Sequence, residues 1–444
     1  MRRFVRDDWS ATICLATICP SAEGAKHIAS LLQTNTTLTV ITLDHNEIGS
    51  AGAQYLSDAL LNNATLGKLS MVRNKSDSCA ILEVIVDLHS NPTMTTLTIY
   101  DKKIEEKNAQ QLGNTLRNKT CLTSLDLVNN QINNRILQYF ANALKTHADL
   151  RSLSFNNNQI GDEGVQYIVD ILESHKKITS LSLDNNGITD QGAQYLSEII
   201  KTNRTVTAID LTNRGIGNTG AQYLADLLRV NSNIIKLLLG SNRISDEGAK
   251  YLADVLQNNA TILEIDLSRN ASGYAAVLGA SIQLRNNREV TYLNLENSKI
   301  DSQNVQLLAA ALIDNQIFNR LSLHGNESSL CTLVEIFLTA PPDQVRTELN
   351  VAEKRIGDDE VQFLVDVLTN NTTIINIDLA KNNIGVDGAK YMSDLLQNDK
   401  TLLTLNLESN EVGDEGTNYL ANGLRNNIVL LIENSAYNLV TIHL

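Results

Sequence analysis

The composition of this chain excludes several classes of protein before any motif is considered. Its 444 residues are 43% hydrophobic and 19% charged, which is enough apolar material for a sizeable core and excludes a disordered chain. A formal net charge of -14 disfavours nucleic acid and anionic membranes as ligands and favours cationic partners. No apolar run approaches the roughly 18 residues that a membrane-spanning helix requires.

The amino terminus resembles a signal peptide, but neither its basic region nor its apolar region is continuous. Basic residues precede a short apolar stretch, yet Asp7 and Asp8 interrupt the basic region and threonines interrupt the apolar one. We therefore predict a first, weak repeat here, with Phe4 and Trp9 as its cap material. Because the ends of a solenoid expose its core, ends without a cap are expected to self-associate.

From Ser10 onward the sequence repeats every 28 residues. The segment LTSLDLVNNQI at 122–132 recurs 28 residues later as LRSLSFNNNQI and then as ITSLSLDNNGI. The same register continues to Leu430 with no insertion or deletion. We therefore predict a single domain over residues 1–444, built from fifteen 28-residue repeats at 10–429 with short terminal segments.

Each repeat has two halves with different periods. The LxxLxL half alternates apolar and polar residues, which predicts a strand, and the next half places residues such as Ala53, Leu56 and Leu60 on one face of a helix. Residues such as Asp162 and Asp190, at the start of the helical half, are expected to cap the helix that they open. One such unit cannot bury its apolar face alone, so the repeats must stack and share a core.

Stacking of these units predicts the architecture. Strands stack about 4.8 Å apart whereas packed helices need about 8 to 10 Å, so the stack must bend with its strands on the inner curve. The predicted fold is an α/β solenoid in the form of a horseshoe, with parallel strands on the concave face and helices on the convex face. Asparagines at one repeat position, among them Asn130, Asn158 and Asn186, are expected to bond backbone groups left unpaired where each strand ends.

The segment GIGNTG at 215–220 has the spacing of a dinucleotide-binding loop. However, Gly217 and Gly220 occupy positions that are glycine in other repeats, such as Gly49 and Gly52, and the next strand ends without the acidic residue that a ribose requires. The seven histidines are scattered, and no HExxH, GxSxG or P-loop motif occurs. We therefore predict no catalytic residue, no cofactor and no metal site, and we do not expect an enzyme.

Two repeats diverge from the others in the same way. The segments at 69–88 and 321–338 both lack the helix glycine and carry a cysteine at one shared position, Cys79 and Cys331. These cysteines lie nine repeats apart and cannot form a disulfide in an open horseshoe. A proline pair at 341–342 is expected to end the second helix early. Because the five cysteines of the chain include no CxxC pair, we expect free thiols and a cytoplasmic protein.

The pattern LxxLxLxxNxIGDxGAxxLAxxL resembles the leucine-rich repeats of the ribonuclease inhibitor type. It is clearest at 178–200, 234–256, 374–396 and 402–424, and the resemblance covers about 95% of the chain. That group includes ribonuclease inhibitor, the Ran GTPase-activating protein and the repeat region of NOD-like receptors. The resemblance implies the solenoid fold and says little about function. The sequence lacks the cysteine richness of ribonuclease inhibitor and the P-loop of a whole NOD-like receptor.

In this architecture, function most often lies on the outward strand residues, at repeat positions 3, 5 and 7. Three bases, Lys68, Lys236 and Arg320, oppose ten acids there. Such an acidic concave face predicts a non-enzymatic protein-protein interaction scaffold that binds a partner with a basic surface. The alternative is that acids simply suit solvated strand positions in this repeat. The ten acids are Asp44, Asp126, Asp184, Asp210, Glu264, Asp266, Glu296, Glu348, Asp378 and Glu408.

Position 7 is apolar in three successive repeats, at Val72, Tyr100 and Val128, with Arg73 beside the first. Neighbouring strands would place these residues about 5 Å apart in one exposed strip, and a tyrosine among aliphatic residues and an arginine is typical of an interface anchor. The competing interpretation is ordinary sequence drift. The predicted partner-binding residues are Val72, Arg73, Tyr100, Val128, Asp126, Asp184, Asp210, Glu264, Asp266 and Glu296.

Two further functions stay open. A small-GTPase-activating protein similar to the Ran GTPase-activating protein relies on an arginine near its amino-terminal repeats, for which Arg73 is the candidate. The surrounding MVRNKSD does not match a motif that can be carried over. The third interpretation is the repeat fragment of a larger NOD-like receptor.

Overall fold

The computed structural model describes residues 11–15, 21–119, 121–313, 320–326, 328–338, 347–369, 372–399, 401–425 and 441–443. The chain divides into two compact units, residues 1–265 and 266–444, and each is described by itself. The single-domain organisation stays a prediction. The predicted cap residues Phe4 and Trp9, and the proline pair at 341–342, lie outside the described residues.

The first unit alternates short strands with helices throughout. Its elements are β1 (Ala11–Cys14), α1 (Ala22–Leu32), β2 (Leu38–Thr42), α2 (Gly49–Leu60), β3 (Lys68–Ser70), α3 (Asp77–Ser90), β4 (Thr96–Thr98), α4 (Glu106–Arg117), β5 (Ser124–Asp126), α5 (Asn134–Leu144), β6 (Ser152–Ser154), α6 (Gly161–Ser174), β7 (Ser180–Ser182), α7 (Asp190–Thr202), β8 (Ala208–Asp210), α8 (Asn218–Val230), β9 (Lys236–Leu238) and α9 (Asp246–Leu256).

The second unit continues the same alternation after β10 (Glu264–Asp266), the strand in which the two units meet along the chain. Its elements are α10 (Gly273–Asn286), β11 (Tyr292–Asn294), α11 (Ser302–Ile313), β12 (Arg320–Ser322), α12 (Leu330–Leu338), β13 (Glu348–Asn350), α13 (Asp358–Leu368), β14 (Asn376–Asp378), α14 (Val386–Asn398), β15 (Thr404–Asn406), α15 (Gly413–Arg425) and β16 (Thr441–His443).

The strands pair in parallel and in chain order, as predicted. Partners such as Thr96 and Ser124, or Ser124 and Ser152, are one repeat apart. The described strands form four sheets, β1-β2-β3, β4 through β10, β11-β12 and β13 through β16. The repeating strand and helix units confirm the predicted α/β solenoid.

The core of each unit lies between its strands and its helices. In the first unit Leu125 and Leu127, which flank the strand position of Asp126, are 0% exposed, as is the helical Phe140. In the second unit Leu349 and Ile377 belong to one continuous buried cluster. These are the inward residues of the predicted strand and helix patterns, so burial follows the sequence periodicity.

The asparagine ladder is confirmed. Asn158 is 7% exposed, and its Nδ2 donates to the carbonyl oxygens of Leu127 and Phe155 at 2.8 and 2.7 Å. Its Oδ1 accepts from the amides of Asn130 and Ile132 at 3.0 and 2.9 Å. One side chain therefore satisfies backbone groups of two successive repeats at the point where the strands end.

The prediction that Asp162 and Asp190 cap their own helices is wrong. Each carboxylate lies in the first turn of its helix and reaches the start of the next one. Asp162 Oδ1 accepts from the amides of Thr189 and Gly192 at 2.8 and 2.9 Å, at the start of α7. The aspartates therefore satisfy helix amides across the repeat interface, which ties each helix to its successor.

The glycine-rich segment at 215–220 takes part in the same contact. The amides of Gly217 and Gly220 donate to Asp190 Oδ1 at 2.6 and 2.9 Å, so a carboxylate of the chain itself occupies the start of α8. Gly215 is required because a Cβ at this position would collide with the carbonyl oxygen of Ile188. These amides are engaged in repeat packing.

Candidate partner-binding face

The acids predicted for recognition lie on or beside the strands, and we call them the acidic strand face of each unit. Eight of the ten are half-buried, and only Glu348 and Glu408 are fully exposed. The face consists of Asp44, Asp126, Asp184, Asp210 and Glu264 in the first unit, and of Asp266, Glu296, Glu348, Asp378 and Glu408 in the second.

Several of these carboxylates also hold the loop that follows a strand. Asp44 Oδ1 accepts from Ser70 Oγ at 2.7 Å and from the amide of Val72 at 2.8 Å. Asp210 and Asp266 each accept from the amide two residues later, at 3.0 and 2.8 Å. This local role supports the alternative that acids suit these positions for structural reasons.

The bases on the strand face are partly neutralised by their neighbours. Lys236 Nζ lies 2.6 Å from Glu264 Oε1, on adjacent strands of the first unit. In the second unit the Arg320 guanidinium lies 4.9 Å from the centre of the Tyr292 ring. In each unit acids therefore still outnumber bases on the acidic strand face, with Glu264 paired to Lys236 and Glu296 lying 3.9 Å from Arg269.

Asp184 and Asp210 come from neighbouring repeats of the first unit. Burial raises the pKa of Asp184, and the nearby Asp210 carboxylate raises it further. A cation placed beside Asp184 would favour its charged form and offset the repulsion from Asp210. This part of the acidic strand face is therefore suited to a lysine or arginine of a partner.

The predicted apolar strip is only partly present. Val72 and Tyr100 are each 51% exposed, whereas Val128 is half-buried. Tyr100 and Val128 follow paired strands, but β3 and β4 belong to different sheets, so Val72 and Tyr100 do not follow paired strands as the prediction assumed. Arg73 has φ 59, the left-handed conformation, and its side chain is exposed.

Tyr100 is held by a hydrogen bond to an acid of the next strand. Its hydroxyl donates to Asp126 Oδ2 at 2.7 Å, and this hydrogen bond raises the pKa of Tyr100. The other oxygen, Asp126 Oδ1, is buried and has no hydrogen-bond partner among the described residues. An exposed ring fixed over a carboxylate offers a partner both apolar area and negative charge.

A second ladder, at the ends of the helices, was not predicted. Asn63 Nδ2 donates to Leu32 O at 2.8 Å, while its Oδ1 accepts from the amide of Leu66 at 2.9 Å. Histidines replace this asparagine in two repeats, as His147 and His175, which are 0% and 3% exposed. The regular 28-residue spacing of these positions was the signal that could have revealed the ladder.

The described part of the chain contains no group of three or more His, Cys, Asp or Glu residues arranged for a metal ion. Its cysteines Cys14, Cys79, Cys121 and Cys331 are free thiols. Burial raises the pKa of Cys79 and of Cys331 to about 12, so both remain protonated and unreactive. None of the described helices is long and apolar enough to cross a membrane.

A family model described as a leucine-rich repeat matches eight segments of this chain, and no curated protein matches it. Each of the eight segments contains one strand and more than half of the helix that follows it. They are residues 34–57, 118–141, 146–169, 174–197, 202–225, 230–253, 370–393 and 398–421.

Three solved structures are similar to this chain at low identity. The complex of Rad7 and Elc1 in yeast is 17% identical over 69% of this chain and 73% of that chain, with a TM-score of 0.42. A leucine-rich repeat protein of Leptospira interrogans is 16% identical over 90% of both chains, with a TM-score of 0.37. An internalin of Listeria monocytogenes is 15% identical over 90% and 92%, with a TM-score of 0.32. Scores this low support no inference about function.

The family matches and the alternating strands and helices show a leucine-rich repeat solenoid. Proteins built from such repeats generally mediate protein-protein interactions, and the fold is generally non-enzymatic. The ribonuclease inhibitor type stays a prediction.

Proposed function

We propose that this chain is a non-enzymatic recognition scaffold of the ribonuclease inhibitor type, acting in the cytoplasm, that binds a protein with a basic surface through its acidic strand face. One observation carries the proposal. Ten acids oppose three bases at the outward strand positions, and Lys236 among those bases is already paired with Glu264. A surface of one sign attracts a partner of the other and accelerates association.

Tyr100 gives the proposed interface an apolar anchor. It is an exposed aromatic side chain at a fixed position, since its hydroxyl is bound to Asp126. Interface anchors are commonly tyrosines that bury a large ring at little cost in side-chain entropy. Val72 and Arg73 lie after the preceding strand and complete the proposed contact in the first unit.

Affinity capture from native extract tests the proposal. The captured protein should carry a basic surface, and its retention should fall steadily as salt rises from about 50 to 500 mM, because salt screens charge attraction. A partner that remains equally bound across that range would contradict recognition by the acidic strand face.

A GTPase-activating function is the second candidate, and Arg73 supports it. The side chain is exposed and forms no ion pair with any described residue, so it is free to enter another protein's active site. Single-turnover hydrolysis by a panel of small GTPases tests this function, with Arg73→Ala as the matched variant. Hydrolysis that is unchanged by the wild-type chain would exclude it for those GTPases.

A further inference from the structure

Two repeats, 252 residues apart, share a set of contacts that the other repeats lack. Serine replaces the usual isoleucine just before the helix, at Ser76 and Ser328. The Ser76 hydroxyl lies 2.7 Å from Ser50 Oγ, and the Ser328 hydroxyl lies 2.8 Å from Ser302 Oγ. Each repeat also has a buried cysteine whose thiol contacts a backbone carbonyl of the preceding repeat at 3.8 Å.

The two repeats also carry a glutamate where the regular helices carry a tyrosine. Glu83 and Glu335 occupy the repeat position of Tyr139, and we call the repeats at 66–93 and 318–345 the glutamate repeats. Tyr139 lies on the outer side of its helix, partly exposed, where its hydroxyl meets Glu106. The glutamates instead point inward to the repeat's own strand.

Each glutamate accepts a hydrogen bond that the next strand would otherwise receive. In regular repeats the amide after the strand donates to the following strand, as Leu127 N does to Ser154 O at 2.9 Å. In the glutamate repeats the equivalent amide of Met71 donates to the Glu83 carboxylate, and that of Leu323 donates to Glu335 Oε2 at 3.0 Å. A side chain therefore takes the place of a strand.

Strand pairing stops at both of these places. Among the described strands, β3 is the last strand of its sheet and β12 is the last strand of another, and β4 and β13 each begin a new one. Helix α3 packs against its own strand β3. Helices α2 and α4 are in direct contact, because Ser57 Oγ donates to Gln111 Oε1. A cavity of 170 Å³ lies between α2, α3 and α4.

In a third repeat the helix also lies close to its own strand, but it carries no carboxylate at this position. Ser272 replaces the isoleucine and caps α10 through the amide of Ala275 at 2.9 Å. Gly279 stands at the glutamate position, and a Cβ there would lie 3.3 Å from the amide nitrogen of Leu267. The strand of this repeat, β10, is also the last of its sheet. An inward-shifted helix, marked by the serine, is therefore the common feature of these three repeats.

The charges around Glu83 do not account for its position. Burial raises its pKa, and the carboxylates of Asp44 and Asp87 raise it further, whereas Lys102 and the Met71 amide oppose this. A desolvated carboxylate beside two others costs stability and is offset only in part by one amide and one lysine. The hydrogen bond from the Met71 amide to Glu83 instead ends strand pairing at one particular repeat.

We propose that the glutamate repeats are built-in interruptions of the sheet that divide each unit into segments which open separately. In a repeat array, cooperativity between segments depends on the interface that joins them, which here includes the helix contact between Ser57 and Gln111. An interface without strand pairing couples the unfolding of the two segments less strongly. In the first unit the segments are residues 21–90 and 94–256.

Hydrogen exchange of the full chain, followed by mass spectrometry, tests this proposal. Residues 21–90 and residues 94–256 should lose protection in two separate steps as denaturant rises below the global transition. Loss of protection in a single step across 21–256 would overturn the proposal, whatever the variants do.

The variant Glu83→Ala tests the glutamate itself. The Met71 amide should exchange at least about tenfold faster, because no strand replaces the lost acceptor, while the Leu43 amide, bonded to Ser70 O at 2.7 Å, keeps its protection. Tyr139→Ala is the matched control at the same repeat position, and it should leave the Leu127 amide unchanged. An unchanged Met71 amide in Glu83→Ala would contradict the assigned role. Should Glu83→Ala not fold, Glu83→Gln retains an acceptor oxygen and should keep Met71 protected, with loss of that protection counting against the proposal.

Discussion

The regular repeats at 122–256 differ from the glutamate repeats at 66–93 and 318–345 in one hydrogen bond. The difference is the group that accepts the hydrogen bond from the amide that follows the strand. In the regular repeats a carbonyl oxygen of the next strand accepts this hydrogen bond, and the sheet continues without a break from β4 through β10. In the glutamate repeats a carboxylate from the repeat's own helix accepts this hydrogen bond, and the sheet ends. Continuity of the solenoid therefore depends on a local choice of hydrogen-bond acceptor as well as on the repeat period.

The largest effect is expected from the asparagine ladder, which joins successive repeats. Asn158→Ala removes four hydrogen bonds to buried backbone groups and should lower the free energy of unfolding by about 3 kcal/mol. Asn74 donates to Leu43 O and Met71 O and, among the described residues, accepts one hydrogen bond, from the Ile48 amide at 3.3 Å, so Asn74→Ala should cost less. Chemical denaturation measures both variants. An equal loss would mean that the cost does not follow the number of hydrogen bonds that each asparagine makes.

The second largest effect concerns binding at the strand that begins after the first interruption. Tyr100→Ala should weaken partner affinity by about 2 kcal/mol, because a central aromatic anchor is lost. Stability should change little, since the side chain is half exposed. Tyr55→Ala, at 40% exposure on the helix side, is the matched control and should leave affinity unchanged. Titration calorimetry with the captured partner decides between them, and equal losses would show that Tyr100 is not an anchor.

A smaller effect is expected from the histidines of the regular region. Burial lowers the pKa of His147 from 6.5, so the folded chain holds the neutral ring and loses stability as pH falls below that value. His147 Nε2 is also buried with no hydrogen-bond partner among the described residues. His147→Asn restores the ladder residue and should stabilise the chain by about 1 kcal/mol while flattening the pH dependence below 6.5. Denaturation at pH 7 and pH 5 tests this, and an unchanged slope would contradict it.

The smallest effect is expected from the carboxylate in the first glutamate repeat. Burial raises the pKa of Glu83 above 4.5, so the stability that the protonated group provides is full below that value and is lost as pH rises through the folded-state pKa. Glu83→Gln should therefore lose less stability than the wild type between pH 4.5 and pH 7. Glu173→Gln, on the exposed side of α6, controls for simple loss of a carboxylate. Parallel slopes for all three proteins would contradict burial of the Glu83 charge.

Most of the fold was predictable because the same residue types recur every 28 residues. Leu125, Leu153 and Leu181 are all buried strand residues, as their alternation indicates. The caps were not predictable in the same way, since Asp162 lies beside its own helix in sequence but contacts the next helix in space. A repeat period shows which residues are equivalent but not which neighbour each side chain reaches.

The candidate site was predictable in position and less so in geometry. The outward acids lie on the strand face, but their half-burial and their contacts with the following loops depend on backbone turns that are not evident from alternation. The divergence at Cys79 and Cys331 was visible in the sequence, yet nothing in the pattern indicated that it ends strand pairing. Val72 and Tyr100 were therefore expected on neighbouring strands that the structure does not pair.

Charge reversal on the acidic strand face tests the central claim most directly. Glu348 and Glu408 are its fully exposed acids in the second unit, and Asp394 is an exposed acid on helix α14 of the same unit. If the face binds a basic partner, the double variant Glu348→Lys with Glu408→Lys should slow association with the captured partner at least about tenfold at low salt. The control Asp394→Lys should leave the rate within about twofold. Equal association rates for the double variant, the control and the wild type would contradict recognition through the acidic strand face.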